Sequence, residues 1–378
     1  MISRAHRSPV SDWWWTVDRP TISIVLVLLL TGLVFSFAAS PPVAERLGLD
    51  SLHFVVRHAF YAPLAALLMI GISFMSPRQV RRAALVLLIV CLALMVLVLF
   101  VGEEIKGSRR WLHIAGISVQ PSEFVKPAFI VITAWLFAEG SRRPEIPGRM
   151  LAVFLLLITT ALLVAEPDLG QTVLFVAVWG ALFFLAGVNT LIVAGLAAIG
   201  AAGLVLAYYV FPHVAGRINR FLDPESGDTF QIMTAMQSFE RGGWSGTGPG
   251  EGIMKRVLPD SHTDFVFAVV GERWGFVGAA LVLSLYALLI WRALRILTMA
   301  KNLFGALLAA GIVAMLMFQV FVNVGMNIGI MPITGIPLPL MSYGGSSVLT
   351  TLIAVGLLQS IYAQGRAAAS HKGRVTAT

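Results

Sequence analysis

Ten apolar segments separated by polar stretches dominate the hydrophobic pattern of this chain. They lie at 21–39, 59–75, 83–101, 121–138, 150–165, 171–188, 191–211, 266–290, 303–326 and 346–363. As α-helices, segments of about this length cross roughly 30 Å of hydrocarbon. One long polar loop, 212–264, separates the seventh segment from the eighth. The pattern predicts an all-α polytopic membrane protein with about ten transmembrane helices and a long loop between helices 7 and 8.

Composition agrees with this class, since 58% of the residues are hydrophobic and only 12% are charged. The net charge is +8, but no basic run is interleaved with aromatic residues, so the sequence does not indicate a nucleic-acid partner. The basic residues fall instead in short loops between the spans, which is typical of membrane topology. The first apolar segment is longer than the core of a signal peptide and is interpreted as a retained span.

The placement of Lys and Arg predicts an orientation. Basic residues cluster in both tails and in alternate short loops, such as Arg78 to Arg82 and Arg142 to Arg149. Because short cytoplasmic loops carry an excess of Lys and Arg, both termini are predicted to be cytoplasmic and the 212–264 loop extracytoplasmic. The predicted organisation is a cytoplasmic tail at 1–20, one membrane domain at 21–365 and a cytoplasmic tail at 366–378.

The end of the long loop carries the strongest candidate for chemistry. Asp264 sits where the chain re-enters an apolar segment, and a charge at a membrane edge is a functional hypothesis by default. Desolvation there would raise the carboxyl pKa, which suits a general base. The alternative is a helix N-cap, since Asp is favoured before an apolar run. The same loop contains Lys255 and Arg256 as candidate anion ligands, and a glycine-dense stretch at 242–252.

A second group surrounds the start of the fourth segment. Glu123 and Lys126 are three residues apart and share a helix face, and Arg110 lies shortly before them. One interpretation is a capped helix with an internal ion pair. The other is an anion site in which Arg110 and Lys126 hold a lipid pyrophosphate, with Arg as a bidentate ligand and Lys as a point charge.

Two further segments interrupt the apolar pattern. Glu166 and Asp168 lie in a hairpin between two spans. A structural salt bridge is favoured there, and a divalent cation such as Mg²⁺ or Mn²⁺ is a weaker alternative. Residues 327–345 are rich in Gly and Pro, and irregular backbone at membrane depth is tolerated where it lines a cavity. This segment is predicted to form a cavity wall, with Ser342, Gly344 and Ser346 as candidate substrate ligands.

Five blocks of sequence, taken in order, resemble the SEDS family (shape, elongation, division and sporulation) of bacterial cell-wall proteins. These blocks are Gly107-Ser108-Arg109-Arg110-Trp111, Gln120-Pro121-Ser122-Glu123, Arg220-Phe221-Leu222-Asp223-Pro224, Leu258-Pro259 with His262-Thr263-Asp264-Phe265, and Gly335-Ile336-Pro337-Leu338-Pro339 through Ser342-Tyr343-Gly344-Gly345-Ser346-Ser347. The resemblance covers nearly the whole chain, and the sequence is more similar to the division members of the family than to the elongation members.

The resemblance implies a peptidoglycan glycosyltransferase that polymerises lipid II, an undecaprenyl-pyrophosphate-linked disaccharide peptide, at the division septum. It implies that Asp264 is the essential acidic residue. It also implies a bacterial cytoplasmic membrane location and partnership with a class B penicillin-binding protein and other division proteins. An elongation-type polymerase, a lipid II flippase and a recruiting scaffold remain as alternatives.

Overall fold

The chain is a bundle of helices, and the computed structural model describes residues 9–105, 108–114, 116–223, 229–248 and 252–375. The helices are α1 (Pro9–Thr16), α2 (Arg19–Arg46), α3 (His53–Ser73), α4 (Pro77–Val101), α5 (Pro121–Arg142), α6 (Gly148–Ala165), α7 (Leu169–Leu185), α8 (Thr190–Val210), α9 (Pro212–Leu222), α10 (Phe230–Gly242), α11 (Met254–Val257), α12 (Val266–Thr298), α13 (Leu303–Asn327) and α14 (Gly345–Val375).

Ten of these helices correspond to the ten apolar segments. Nine helices in the described part of the chain are long and apolar enough to span a membrane, and α7 is a shorter apolar helix of 17 residues. Several begin at side chains that accept a backbone N–H, such as Asp18 before α2, Ser76 before α4 and Asn302 before α13. The predicted all-α membrane fold is therefore confirmed.

The centre of the bundle is formed by α5, α13 and α14. In their apolar spans 61%, 61% and 78% of the residues are buried, whereas the span of α8 has none. A helix that is apolar all round but buried on few sides exposes its remaining surface to lipid. The central helices are therefore the ones placed to carry polar groups away from hydrocarbon.

The two polar stretches on the side of Asp264 are more ordered than the sequence indicated. Residues 103–119 contain a small antiparallel sheet, β1 (Glu103–Ile105), β2 (Ser108–Ile114) and β3 (Ile117–Val119), in the order β1-β2-β3. The described part of the 212–264 loop contains helices α9, α10 and α11, which have no long apolar segment to indicate them.

Helix α12 is broken about two and a half turns after its start, because Gly275 has φ 62° and ψ −161°. A left-handed φ of this kind is readily available only to glycine. A side chain at Gly275 would also collide with the backbone of Trp244. The glycine-dense turn that follows α10 thus packs against the break, and its Gly246 lies against the Arg273 carbonyl. Close backbone packing explains these glycines.

A buried ion pair ties the opposite end of the bundle together. Asp18 is 1% exposed and pairs with the guanidinium of Arg292 on α12. The Gln359 side chain of α14 accepts the Asp18 backbone N–H at 2.8 Å. Helices α2, α12 and α14, which are distant in sequence, therefore meet at Asp18.

Candidate functional site

A cavity of about 600 Å³ opens where the polar segments converge. Its walls come from β2, the start of α5, helices α9 and α10, the 260–264 turn, the irregular segment after α13 and the start of α14. The lining residues are Ser108, Arg110, Trp111, Gln120, Glu123, Arg217, Gln231, Ile232, Asp260, Thr263, Asp264, Ile333, Thr334, Gly335, Pro337, Tyr343, Gly344, Ser346 and Ser347. The prediction that residues 327–345 form a cavity wall is confirmed.

Asp264 lies in this wall and is half-buried. The N-cap residue of α12 is Phe265, one residue after Asp264, and the Phe265 side chain makes no capping hydrogen bond. The structure therefore differs from the N-cap interpretation of Asp264, because Asp264 lies in the turn that precedes the N-cap residue and lines the cavity. Gly335 lies opposite, where an added Cβ would be 3.9 Å from Asp264 Oδ2.

Two buried amides of α13 hold the backbone of Asp264. Asn323 Nδ2 and Asn327 Nδ2 each donate to the Asp264 carbonyl at 3.0 Å. Asn323 also donates to the Ile336 carbonyl at 2.8 Å, which links the two cavity walls. Both side chains are fully buried, so the position of Asp264 is fixed from the bundle core. In the sequence, the only sign of this support is a pair of Asn residues four positions apart on an apolar helix.

Arg110 is held by three contacts on one side of its guanidinium. It donates to Asp168 Oδ2 at 3.1 Å, to Ser108 Oγ at 2.9 Å and to the Pro167 carbonyl at 3.1 Å. Its side chain is 18% exposed and lines the cavity. The salt bridge favoured for the 166–168 hairpin is therefore present, between Asp168 and Arg110.

Glu123 and Lys126 form the ion pair expected from their spacing, with 2.7 Å between Glu123 Oε2 and Lys126 Nζ. Glu123 also accepts from Gln171 Nε2 at 2.7 Å. Both charged side chains are nearly fully buried, and only Glu123 is among the cavity-lining residues. Lys126 thus lies behind Glu123, where it balances that carboxylate, and its predicted contact with an anion remains a prediction.

Glu166 is buried in the same hairpin without a hydrogen-bond partner among the described residues. Burial, then repulsion from Asp168, raises its pKa to about 8, and Arg110 partly opposes this. The described residues include no group of three or more His, Cys, Asp or Glu side chains that could hold a metal. Within the described part of the chain, Glu166 and Asp168 therefore gain no further His, Cys, Asp or Glu ligand for Mg²⁺ or Mn²⁺.

The other predicted ligands are distributed differently. Gly344 and Ser346 line the cavity, and Ser346 Oγ accepts the Gln120 backbone N–H at 3.2 Å. Ser342 is buried and does not line it, since its hydroxyl donates to the Thr263 carbonyl at 2.5 Å and accepts the Leu338 N–H. Arg256 is exposed on α11 and, like Ser342, is not among the residues that line the cavity. The side chain of Lys255 lies outside the described residues.

Several lining residues were not predicted as site residues. Arg217 of α9 and Gln231 of α10 come from the long loop, while Trp111, Asp260 and Tyr343 flank predicted positions. Tyr343 stacks on His262 with ring centroids 5.4 Å apart and donates its backbone N–H to the His262 carbonyl. These residues line the cavity because of the way the long loop folds back over the bundle. The hydrophobic periodicity of the sequence does not show that folding.

Comparison with known proteins places this arrangement in a family. The sequence profile of the cell cycle protein family of FtsW, RodA and SpoVE matches residues 19–367. A probable peptidoglycan glycosyltransferase FtsW from Caulobacter vibrioides is 40% identical over 356 residues, which cover 94% of this chain and 91% of that protein. Stage V sporulation protein E from Bacillus subtilis is 35% identical, covering 91% of this chain and 96% of its own length.

Solved structures share the fold. A chain described under "Structural coordination of polymerization and crosslinking by a peptidoglycan synthase complex" superposes with a TM-score of 0.77 at 29% identity, covering 93% of this chain and 99% of its own. The rod shape determining protein RodA of Thermus thermophilus gives 0.67 at 29% identity, covering 92% and 97%. With a match that spans nearly its whole length, this multi-pass membrane protein belongs to the cell cycle protein family of FtsW, RodA and SpoVE, the SEDS family that its motifs resemble.

Proposed function

We propose that the protein is a peptidoglycan glycosyltransferase that polymerises lipid II for septal cell-wall synthesis. The observation that carries the proposal is the placement of Asp264, held from the bundle core, in the wall of a cavity of about 600 Å³ that Arg110 also lines. The relatives named as FtsW support it, since they cover almost the whole chain and are probable glycosyltransferases.

Asp264 acts as the general base in this proposal. Its carboxylate accepts the proton of the acceptor's sugar 4-hydroxyl while that oxygen bonds to the anomeric carbon of the donor. The bond from that carbon to the lipid pyrophosphate breaks in the same displacement, so the product has inverted configuration. The paired amides of Asn323 and Asn327 fix the Asp264 backbone, which keeps the base in one orientation through the reaction.

Arg110 stabilises the negative charge that grows on the departing pyrophosphate. The contacts with Asp168 and the Pro167 carbonyl hold its guanidinium at the wall before substrate arrives, so little reorganisation is needed. Gly344 and Ser346 border the space for the sugars. Glu123 forms part of the same wall, and the buried Lys126 neutralises the charge of the Glu123 carboxylate.

Polymerisation of lipid II by the purified full-length chain, alone and with its cross-linking partner, tests the proposal. Removing a general base typically lowers a rate by about 10²–10⁴, so Asp264→Asn should lose nearly all polymer. Glu240→Gln is the matched control, because it removes one negative charge from an exposed position on α10. A folded Asp264→Asn protein that still polymerises lipid II would reject the assignment.

The same preparation separates the enzyme from a flippase. Vesicles that contain the protein and labelled lipid II are followed for movement of lipid between leaflets and for chain elongation. A polymerase elongates the lipid, whereas a flippase moves it without elongation. A scaffold does neither, and it predicts that Asp264→Asn cells still divide.

We further propose that the cavity opens on the extracytoplasmic side, with both termini in the cytoplasm, as the basic short loops indicate. Lipid II would then be polymerised at the outer face of the cytoplasmic membrane, at the septum. The structural similarity to a chain from a peptidoglycan synthase complex supports the proposal that this protein acts beside a cross-linking enzyme. We propose a class B penicillin-binding protein for this role, together with other division proteins of the membrane.

A further inference from the structure

A second cavity of about 600 Å³ lies at the end of the bundle opposite Asp264. Helix α5 connects the two sites, because Glu123 at its start lines the first and Glu139 in its last turns lines the second. Sixteen residues of α-helix separate these positions, which is about 24 Å. That distance approaches the thickness of a bilayer's hydrocarbon core, so the two cavities face opposite membrane surfaces.

Charge distinguishes this second cavity, which is lined by five arginines and one carboxylate. These residues are Arg78, Arg81, Arg82, Arg142, Arg143 and Glu139. Glu139 pairs with Arg143 at 3.2 Å and so offsets a single positive charge. The guanidinium of Arg81 lies 5.4 Å from the centre of the Trp135 ring, which holds it over an aromatic wall. Guanidinium groups concentrated in a concave site favour a phosphate ligand.

The surface beside the arginines is apolar and faces lipid. Arg78, Arg82, Leu85 and Ile89 recur at helical spacing along one exposed face of α4. Leu85 also lines the cavity, and Ile89 is 60% exposed one turn deeper in the membrane span. A ligand with a phosphate head and a hydrocarbon tail would match both halves of this face. Free phosphate would leave the apolar half unused.

We propose that this arginine cavity binds the headgroup of an anionic phospholipid from the leaflet opposite the Asp264 cavity. The phosphate lies between the arginines of α4 and those at the end of α5, and an acyl chain follows Leu85 and Ile89 along α4. Basic pockets between transmembrane helices are a known way of holding anionic lipid headgroups. The site would anchor the α4–α5 pair, and α5 also carries Glu123 of the Asp264 cavity.

Binding is measured with the full-length protein in neutral detergent, titrated with dioleoylphosphatidylglycerol dissolved in mixed micelles of the same detergent. Dioleoylphosphatidylcholine tests the need for net negative charge, and glycerol 3-phosphate tests the need for the acyl chains. We expect phosphatidylglycerol to bind at least about tenfold more tightly than either comparison ligand. Equal affinity for phosphatidylcholine would overturn the proposal. Equal affinity for glycerol 3-phosphate would overturn the lipid assignment in favour of a soluble phosphate ester.

The double variant Arg78→Gln/Arg82→Gln should weaken phosphatidylglycerol binding roughly 30-fold, since each basic residue contributes about a factor of five near a membrane surface. The matched control Arg149→Gln/Arg366→Gln removes the same charge from exposed positions that do not line this cavity, and it should retain wild-type affinity. Equal losses in the two double variants would show diffuse attraction and contradict a site.

A folding defect is separated from loss of the site by the unfolding temperature of each variant without lipid. If the Arg78→Gln/Arg82→Gln protein does not fold, the Arg142→Gln/Arg143→Gln variant of the facing wall is tested instead. The same loss of affinity for phosphatidylglycerol is expected. Retained affinity in a folded variant of either wall would refute the proposal. None of these measurements uses lipid II, so the result is independent of the proposed glycosyltransferase activity.

Discussion

Replacing Glu166 with glutamine tests the environment of the buried carboxyl in the α6–α7 hairpin. Glu166 is 1% exposed, and neither carboxylate oxygen has a hydrogen-bond partner among the described residues. An ionised carboxylate is costly in such a place. Burial, with Asp168 nearby, therefore raises its pKa from 4.5 to about 8, and the folded protein holds this group protonated at neutral pH.

The raised pKa makes stability depend on pH in a defined direction. Between pH 4.5 and pH 8 the folded state binds one more proton than the unfolded state, so the free energy of unfolding falls as pH rises. From pH 6 to pH 8 the loss amounts to about 2 kcal/mol. For a chain of 378 residues that corresponds to a decrease of about 2–3 °C in the unfolding temperature.

The assay is thermal unfolding of the detergent-purified protein at several values between pH 6 and pH 8. Glutamine at position 166 keeps the shape of the protonated acid but cannot ionise, so the Glu166→Gln protein should lose most of this pH dependence and be the more stable at pH 8. Glu240→Gln, on an exposed part of α10, should keep the wild-type slope. Parallel slopes for wild type and Glu166→Gln would refute this reasoning.

Three further substitutions probe other parts of the structure. Asp18→Asn should lower the free energy of unfolding by about 3–5 kcal/mol in thermal unfolding, because it leaves the Arg292 guanidinium without its buried partner; an unchanged unfolding temperature would contradict this. Gly335→Ala and the control Gly187→Ala both place alanine at a left-handed φ, 73° and 78°, and each should cost about 1–2 kcal/mol. Only Gly335→Ala should also slow lipid II polymerisation, because Gly335 lines the cavity beside Asp264. Arg110→Lys keeps the charge but loses the forked contacts and should lower the polymerisation rate at least about tenfold; a wild-type rate would remove Arg110 from the mechanism.

Much of the fold follows from the sequence because hydrocarbon imposes a simple constraint. Each crossing needs a long apolar helix, and the predicted segments coincide with α2 to α8 and α12 to α14. Residues 327–345 are predictable as a cavity wall, since Gly and Pro at that depth exclude an uninterrupted helix. The pair of Glu123 and Lys126 is also predictable, because it depends only on their spacing along one helix.

The remaining features depend on contacts between segments far apart in the chain. Helices α9 and α10 have only one apolar face, so a search for continuous apolar segments passes over them. The strands β1 and β3 are three residues long and have no signal of their own. Which acid of the hairpin meets Arg110 depends on the packing of β2 against the hairpin. The sequence therefore did not predict that Asp168 pairs with Arg110 while Glu166 has no hydrogen-bond partner among the described residues.

The rate of lipid II polymerisation by Asp264→Asn, compared with Asp260→Asn, tests the central claim most directly. Both carboxylates line the same cavity four residues apart, so the pair separates a base at one position from a general need for negative charge. The account predicts a loss of about 10²–10⁴ for Asp264→Asn and a far smaller one for Asp260→Asn. Equal losses in two folded proteins, or a larger loss for Asp260→Asn, would contradict it.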